Sequence, residues 1–161
     1  MIIETGHFYF IRDDYFVDFP DPYLEKNKET VHGQSHDRPC FYAFEDQSTK
    51  IFWLIPFSSK TEKYEKIYHR KIAQYGSCDT LVFGDVLGYR KAFLLQNMCP
   101  VISKYIANEY LDNKAKIPVR VDGVLEQELI QKAKKILALA RQGKKVVFPD
   151  ILEIEKQLLH L

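Results

Sequence analysis

Two apolar runs, 40–44 and 51–57, stand on either side of the polar stretch Glu45-Asp46-Gln47-Ser48. The pattern is that of an antiparallel hairpin, and it dictates much of what can surround it. A buried hairpin needs further strands at its edges and apolar faces above and below. The residues for this are at hand. Phe8, Tyr9, Phe10, Tyr15, Phe16, Phe19, Tyr23, Phe41, Tyr42, Phe44, Phe52, Trp53 and Phe57 all fall in the first sixty positions, and aromatic residues favour strands.

Residues 7–11 read as a first strand, ended by Asp13-Asp14. Residues 18–37 are rich in Pro, Asp, Asn, Gly and Ser and read as a long loop, with one helical turn after Pro22. A loop of that length inside a compact domain is usually functional. Tyr64, Ile67, Tyr68, Lys71 and Ile72 lie at helical spacing, which predicts a helix over 61–74 stopped by Gly76. Residues 81–83 and 92–95 form a second antiparallel pair joined through Gly84 and Gly88. Residues 100–102 and 105–106 continue the sheet or form a helix, and 118–121 is a short strand. The strongest helix starts at Asp122, a good N-cap, and runs to Gln142. Its buried stripe is Leu125, Leu129, Ala133, Ile136, Leu137 and Ala140, and Gly143 ends it. Residues 144–148 read as an edge strand and 151–159 as a last helix. Strands come first and strong helices late, which is the order of an α+β fold. The expected architecture is a strongly twisted antiparallel sheet, or a partly open barrel, with peripheral helices. Its 161 residues make one domain, 1–161.

The net charge of +1 hides a segregation. Residues 1–30 are acid-rich, whereas 131–145 carry Lys132, Lys134, Lys135, Arg141, Lys144 and Lys145 without an acid. Lys60, Lys63, Lys66, Arg70 and Lys71 form a second basic stretch. A nearly neutral protein can thus present basic patches to a polyanion, although a solvated helix face produces the same pattern more often. Cys40, Cys78 and Cys99 are isolated, with no CxxC spacing and no histidine at ligand distance, so they read as free thiols in a reducing compartment. No metal site or cofactor is expected. There is no apolar signal-peptide core and no stretch long enough to span a bilayer, so the expected location is cytoplasmic, with no membrane partner.

The stretch most suited to chemistry is the strand end Ser58-Ser59-Lys60. Hydroxyls can donate to phosphate oxygens, an ammonium can stabilise charge building on a phosphorane, and the N-terminus of a following helix attracts anions. From position alone, the same three residues more often make a helix cap and a surface charge. His36 and Arg38 stand at the mouth of the hairpin, where histidine suits proton transfer and arginine suits bidentate phosphate contact. Tyr15, just past the first strand, could donate to phosphate or stack on a base; a half-buried aromatic is the plainer reading. A P-loop, GxSxG, GxGxxG after a strand and HExxH are all absent from the sequence.

Taken in order, His7-Phe8-Tyr9-Phe10-Ile11, Phe19-Pro20-Asp21-Pro22-Tyr23, Arg38-Pro39-Cys40-Phe41-Tyr42-Ala43-Phe44, Ile55-Pro56-Phe57-Ser58-Ser59-Lys60, Gln96-Asn97-Met98-Cys99-Pro100 and Lys132-Ala133-Lys134-Lys135 resemble the toxins of type III toxin–antitoxin systems. These are the ToxN/AbiQ/CptN endoribonucleases, with the CptN branch nearest. The resemblance implies a MazF/Kid/CcdB-like sheet. It also implies metal-independent RNA cleavage by a ribose 2′-OH, leaving a 2′,3′-cyclic phosphate and a 5′-OH. The partners it implies are cellular mRNA as substrate and an RNA pseudoknot antitoxin, processed by the toxin, which inhibits it within a toxin–RNA hetero-oligomer. Phage defence and plasmid maintenance are both roles of such systems. Carried over, the catalytic group is Ser59, Lys60, Ser58, His36 and Tyr15, with Arg38, Lys63, Tyr64, Lys132, Lys135 and Lys144 as RNA contacts. Lys60 follows the hydroxyl pair at once, where some relatives have an intervening residue, so Lys63 stays a rival. Ser35 and His36 stand where some relatives have a tyrosine, which leaves the general base open between His36 and a Lys60 of lowered pKa. Three other readings remain: a non-catalytic RNA-binding module, a Ser–Lys hydrolase, and a MazF-like ribonuclease held by a protein antitoxin.

Overall fold

The computed structural model describes residues 2–25, 28–31 and 34–161, with side chains described for 2–25 and 38–161. In chain order the elements are β1 (Phe8–Ile11), α1 (Asp13–Asp18), β2 (Lys28–Val31), β3 (Gln34–Asp37), β4 (Pro39–Asp46), β5 (Ile51–Ser58), α2 (Thr61–Tyr75), β6 (Leu81–Val86), β7 (Tyr89–Leu94), β8 (Cys99–Val101), β9 (Ile106–Glu109), α3 (Gly123–Arg141) and α4 (Ile151–Leu158). The expected hairpin is β4–β5, at the centre of a seven-stranded sheet ordered β6-β7-β5-β4-β1-β9. Every pairing in it is antiparallel. The sheet forks along β5, which bonds β8 through Phe52–Leu54 and β7 through Phe57 and Ser58. The result is an open α+β sheet with peripheral helices, as the strand-then-helix order of the sequence indicates.

Aromatic rings fill the centre. Phe8 meets Phe41 and Phe57 edge-on at 5.4 and 5.5 Å between centroids, a geometry that aromatic quadrupoles favour. A register shift in β4 between Tyr42 and Phe44 brings Phe44 opposite Trp53, and their rings stack at 6.5 Å. All six residues of the α3 stripe are buried. Each fully buried Leu or Ile contributes about 1.5–3 kcal/mol relative to exposure. Asp122 caps α3 by accepting the Leu125 N–H at 2.8 Å. Arg141, at the far end of α3, holds α4 through two bonds to Glu155, at 2.8 and 2.7 Å.

Three local expectations are corrected. Within the supposed loop 18–37, β2 and β3 pair with each other, Glu29 opposite His36; such a ribbon lacks the apolar alternation that would reveal it in sequence. Residues 118–121 make one bridge, Leu111 to Pro118, because proline has no N–H to extend a ladder. Residues 144–148 are not a strand: the Lys144 and Val146 amides bond locally, and that of Phe148 donates to the Gln96 carbonyl. Cys40, Cys78 and Cys99 are buried free thiols. Among the described residues, no helix is long and apolar enough to cross a membrane.

Candidate functional site

β5 ends at Ser58 and the chain turns directly into α2. The turn uses its own polar atoms: Ser58 Oγ accepts from the Lys60 amide at 3.1 Å, and the Ser59 carbonyl accepts from the Thr61 amide at 2.9 Å. Lys60 takes the N-cap position of α2, and its own side chain makes no capping bond. The positive end of a 15-residue helix therefore opens beside Ser59.

Sequence reasoning missed a third lysine. The β5–β7 register pairs Phe57 with Phe93 and Ser58 with Ala92, which sets Lys91 across from Ser59. The Lys91 ammonium donates to Ser59 Oγ at 2.6 Å. An ammonium only donates, so the Ser59 oxygen acts as acceptor there and its own proton is directed elsewhere. In sequence Lys91 looks like one more polar residue after a tight turn. Only the pairing of β7 with the end of β5 gives it meaning.

On the opposite edge the β4–β5 register pairs Cys40 with Pro56, and two further steps set Arg38 against Ser58. Arg38 is 9% exposed and donates to Glu25 at 2.5 Å, so Glu25 balances its charge. Ser58 is 2% exposed. Ser58 is the last residue of β5, Arg38 stands just before β4, and Lys91 lies within β7. Of the two serines, Ser59 is the one that accepts from the Lys91 ammonium.

Lys60 is exposed next to this pair, and the Lys63 ammonium lies 5.1 Å from the Tyr64 ring centroid. Tyr64 itself is buried with Cys78, Leu81, Ala92 and Leu94, so its ring contributes to packing. Tyr15 lies deeper than its place just past the first strand suggests. Helix α1 turns it inward, it is fully buried, and its phenol donates to the Pro100 carbonyl at 2.7 Å. Burial holds its pKa well above the ordinary tyrosine value. Its ring belongs to the core. His36 lies on β3, and its side chain is outside the described residues.

The basic stretch near the C-terminus also divides. Lys132 pairs with Glu128 at 2.8 Å and reaches Asp79 at 4.0 Å, while Lys135 pairs with Asp79 at 2.6 Å. Asp79 is remote in sequence, so this neutralisation is not legible there. Lys144 has no acidic partner among the described residues and lines a groove of about 850 Å³.

No family model matches the sequence, and no curated protein does. Among solved structures, the fold is similar to that of AbiQ, a lactococcal anti-phage endoribonuclease belonging to the type III toxin–antitoxin system. The TM-score is 0.70 over 96% of this chain and 96% of AbiQ, at 12% identity. The likeness spans the whole sheet and its helices, and establishes a common fold.

Proposed function

We propose that this chain is an endoribonuclease toxin of a type III toxin–antitoxin system. It cleaves RNA without metal by directing a ribose 2′-OH onto the adjacent phosphate, leaving a 2′,3′-cyclic phosphate and a 5′-OH. The contact that carries this reading is the Lys91–Ser59 hydrogen bond beside the N-terminus of α2, in a fold shared with an endoribonuclease. In this reading the Ser59 proton is offered to a non-bridging phosphate oxygen. Lys91, Lys60 and the first-turn amides of α2 oppose the charge that grows on the phosphorane. Ser58 shapes the turn through the Lys60 amide, and Arg38 secures the entrance to β4. His36 and Lys60 are the groups assigned to the proton steps. The partners in this reading are mRNA and an antitoxin RNA pseudoknot, which the toxin cuts from its precursor and which then blocks the site.

The test is cleavage of RNA in the presence of a chelator, with the ends of the products mapped. Cyclic phosphate and 5′-hydroxyl ends, lost in Ser59→Ala, are expected. Intact RNA, or cleavage that needs a divalent ion, overturns the proposal. A discrete small RNA is expected to co-purify; a small acidic protein in its place would point to the other toxin class.

The same contact favours a second reading, a Ser–Lys hydrolase with Ser59 as nucleophile. A fluorophosphonate probe separates the two. Labelling of Ser59 that is lost in Lys91→Met supports the hydrolase, and no labelling alongside RNA cleavage supports the ribonuclease.

A further inference from the structure

The groove lined by Lys144 lies well away from Ser59. Its walls come from the last turns of α2, from the 143–149 segment and from Tyr23. Lys71 stands 11 residues after Lys60 on α2, which is about 16 Å along the helix axis. Three aromatic rings at this groove face solvent where packing would ordinarily hide them: Tyr23 is 59%, Tyr75 69% and Phe148 56% exposed. Tyr23 and Phe148 sit close together, with centroids 6.1 Å apart and planes tilted by 37°. Lys71, Lys144 and Lys145 supply the charge. Lys71 bonds a neutral hydroxyl, that of Thr80, at 3.0 Å, and neither Lys144 nor Lys145 has an acidic partner among the described residues. The one acid in the lining, Asp150, caps α4 by accepting the Glu153 amide. This is the reverse of Lys132 and Lys135, whose charges are answered by acids.

We infer that this groove is a docking site for single-stranded RNA, separate from the cleavage centre. Exposed rings interleaved with uncompensated lysines are what a single strand requires: each ring offers a face to a base, and the ammonium groups follow the phosphates. A double helix keeps its bases stacked on each other and could use only the charges. Beneath the groove the Gln96 side chain is 6% exposed and its Oε1 accepts no hydrogen bond from the described residues, so the floor is polar as well as apolar. The inference rests on the ribonuclease reading for the choice of RNA as the polyanion, and it adds a contact about five stacked nucleotides from the reacting phosphate. Substrates too short to span that gap would lose the groove's contribution.

The test is fluorescence anisotropy of a labelled single-stranded RNA of about twelve nucleotides. The full chain carries Ser59→Ala so that no cleavage intervenes. Tyr23→Ala with Phe148→Ala is expected to weaken binding about tenfold or more, while Phe148→Tyr, which keeps a ring, retains it. Lys144→Glu with Lys145→Glu is expected to weaken binding and to lower the slope of log K against log salt by about 0.7 per lysine. Lys104→Glu with Lys114→Glu, equal in charge but elsewhere, should leave both unchanged. All of these are surface changes, and equal melting temperatures confirm folding. Unchanged affinity in the groove variants overturns the inference. So does a loss confined to the lysine pair, or equal binding of duplex RNA, since either means a general anion patch. Displacement of the RNA by poly-glutamate at matched charge also overturns it. Binding is read without cleavage, so a chain that cuts no RNA defeats the ribonuclease reading and leaves this result to stand or fall separately.

Discussion

Lys91 on β7 holds the Ser59 hydroxyl, just past the end of β5, at 2.6 Å, joining two residues 32 positions apart at the mouth of α2. If the pair serves phosphate chemistry, Lys91→Met removes a cation and frees the serine rotor together. RNA cleavage should fall about 10²–10³-fold, with a melting temperature close to that of the parent. Lys91→Arg, which keeps the charge, should retain more activity than Lys91→Met. Equal cleavage by the Met variant and the parent would remove Lys91 from the site.

Because one residue orients the other, their effects should not multiply. Ser59→Ala with Lys91→Met is expected to be about as slow as the worse single variant. Rates that fall by the product of the two single losses would mean that the residues act independently.

Tyr15→Phe separates core from catalysis. Removing the phenol leaves the buried Pro100 carbonyl without its donor, which should cost about 1–3 kcal/mol in denaturant unfolding. Cleavage per folded molecule should not change. A fully folded Tyr15→Phe protein that has lost activity would return Tyr15 to the site.

What could be read from sequence was governed by range. The β4–β5 hairpin, α2 with its stop at Gly76, and α3 with its Asp122 cap and six-residue stripe each carry their signal within a short window, and each stands in the structure. The position of Ser59 was legible for the same reason, as a hydroxyl just past a strand end. Lys91 was not, because its role depends on which strand lies beside β5. Nor was the neutralisation of Lys132 and Lys135, which depends on Asp79 more than fifty residues earlier. The burial of Tyr15 was not legible, because nothing local shows that α1 faces inward.

Alkaline pH should weaken the fold in a definite window. Burial pushes the Cys99 thiol up from 9.0 to about 12 and the Tyr42 phenol up from 10.0 to about 12. Both groups hold their protons more tightly folded than unfolded. Their stabilising effect is complete below pH 9 and is lost as pH rises from about 9 towards 12, where the unfolded chain releases protons that the native chain keeps. Urea midpoints should decline through this range, and Cys99→Val should flatten the first part of the decline, between pH 9 and 10. A midpoint that is constant up to pH 11 would contradict the burial of both groups.

Gly84 and Leu125 test how α3 seats on the sheet. Gly84 lies within β6, opposite Lys91, and a Cβ at that position would run into the Leu125 side chain. The first turn of α3 comes down on the strand here, and the Leu125 side chain would have to shift for any Cβ to fit. Gly84→Ala should therefore destabilise the protein by about 1–3 kcal/mol through overpacking. Leu125→Ala, which empties the same space, should cost about 2–5 kcal/mol. The double variant decides the matter, since the new methyl group then occupies volume that the leucine has vacated. Its loss should be smaller than the sum of the single losses by about 0.5 kcal/mol or more. Strict additivity in denaturant unfolding would mean that the two side-chain positions do not compete, and that α3 meets the sheet elsewhere.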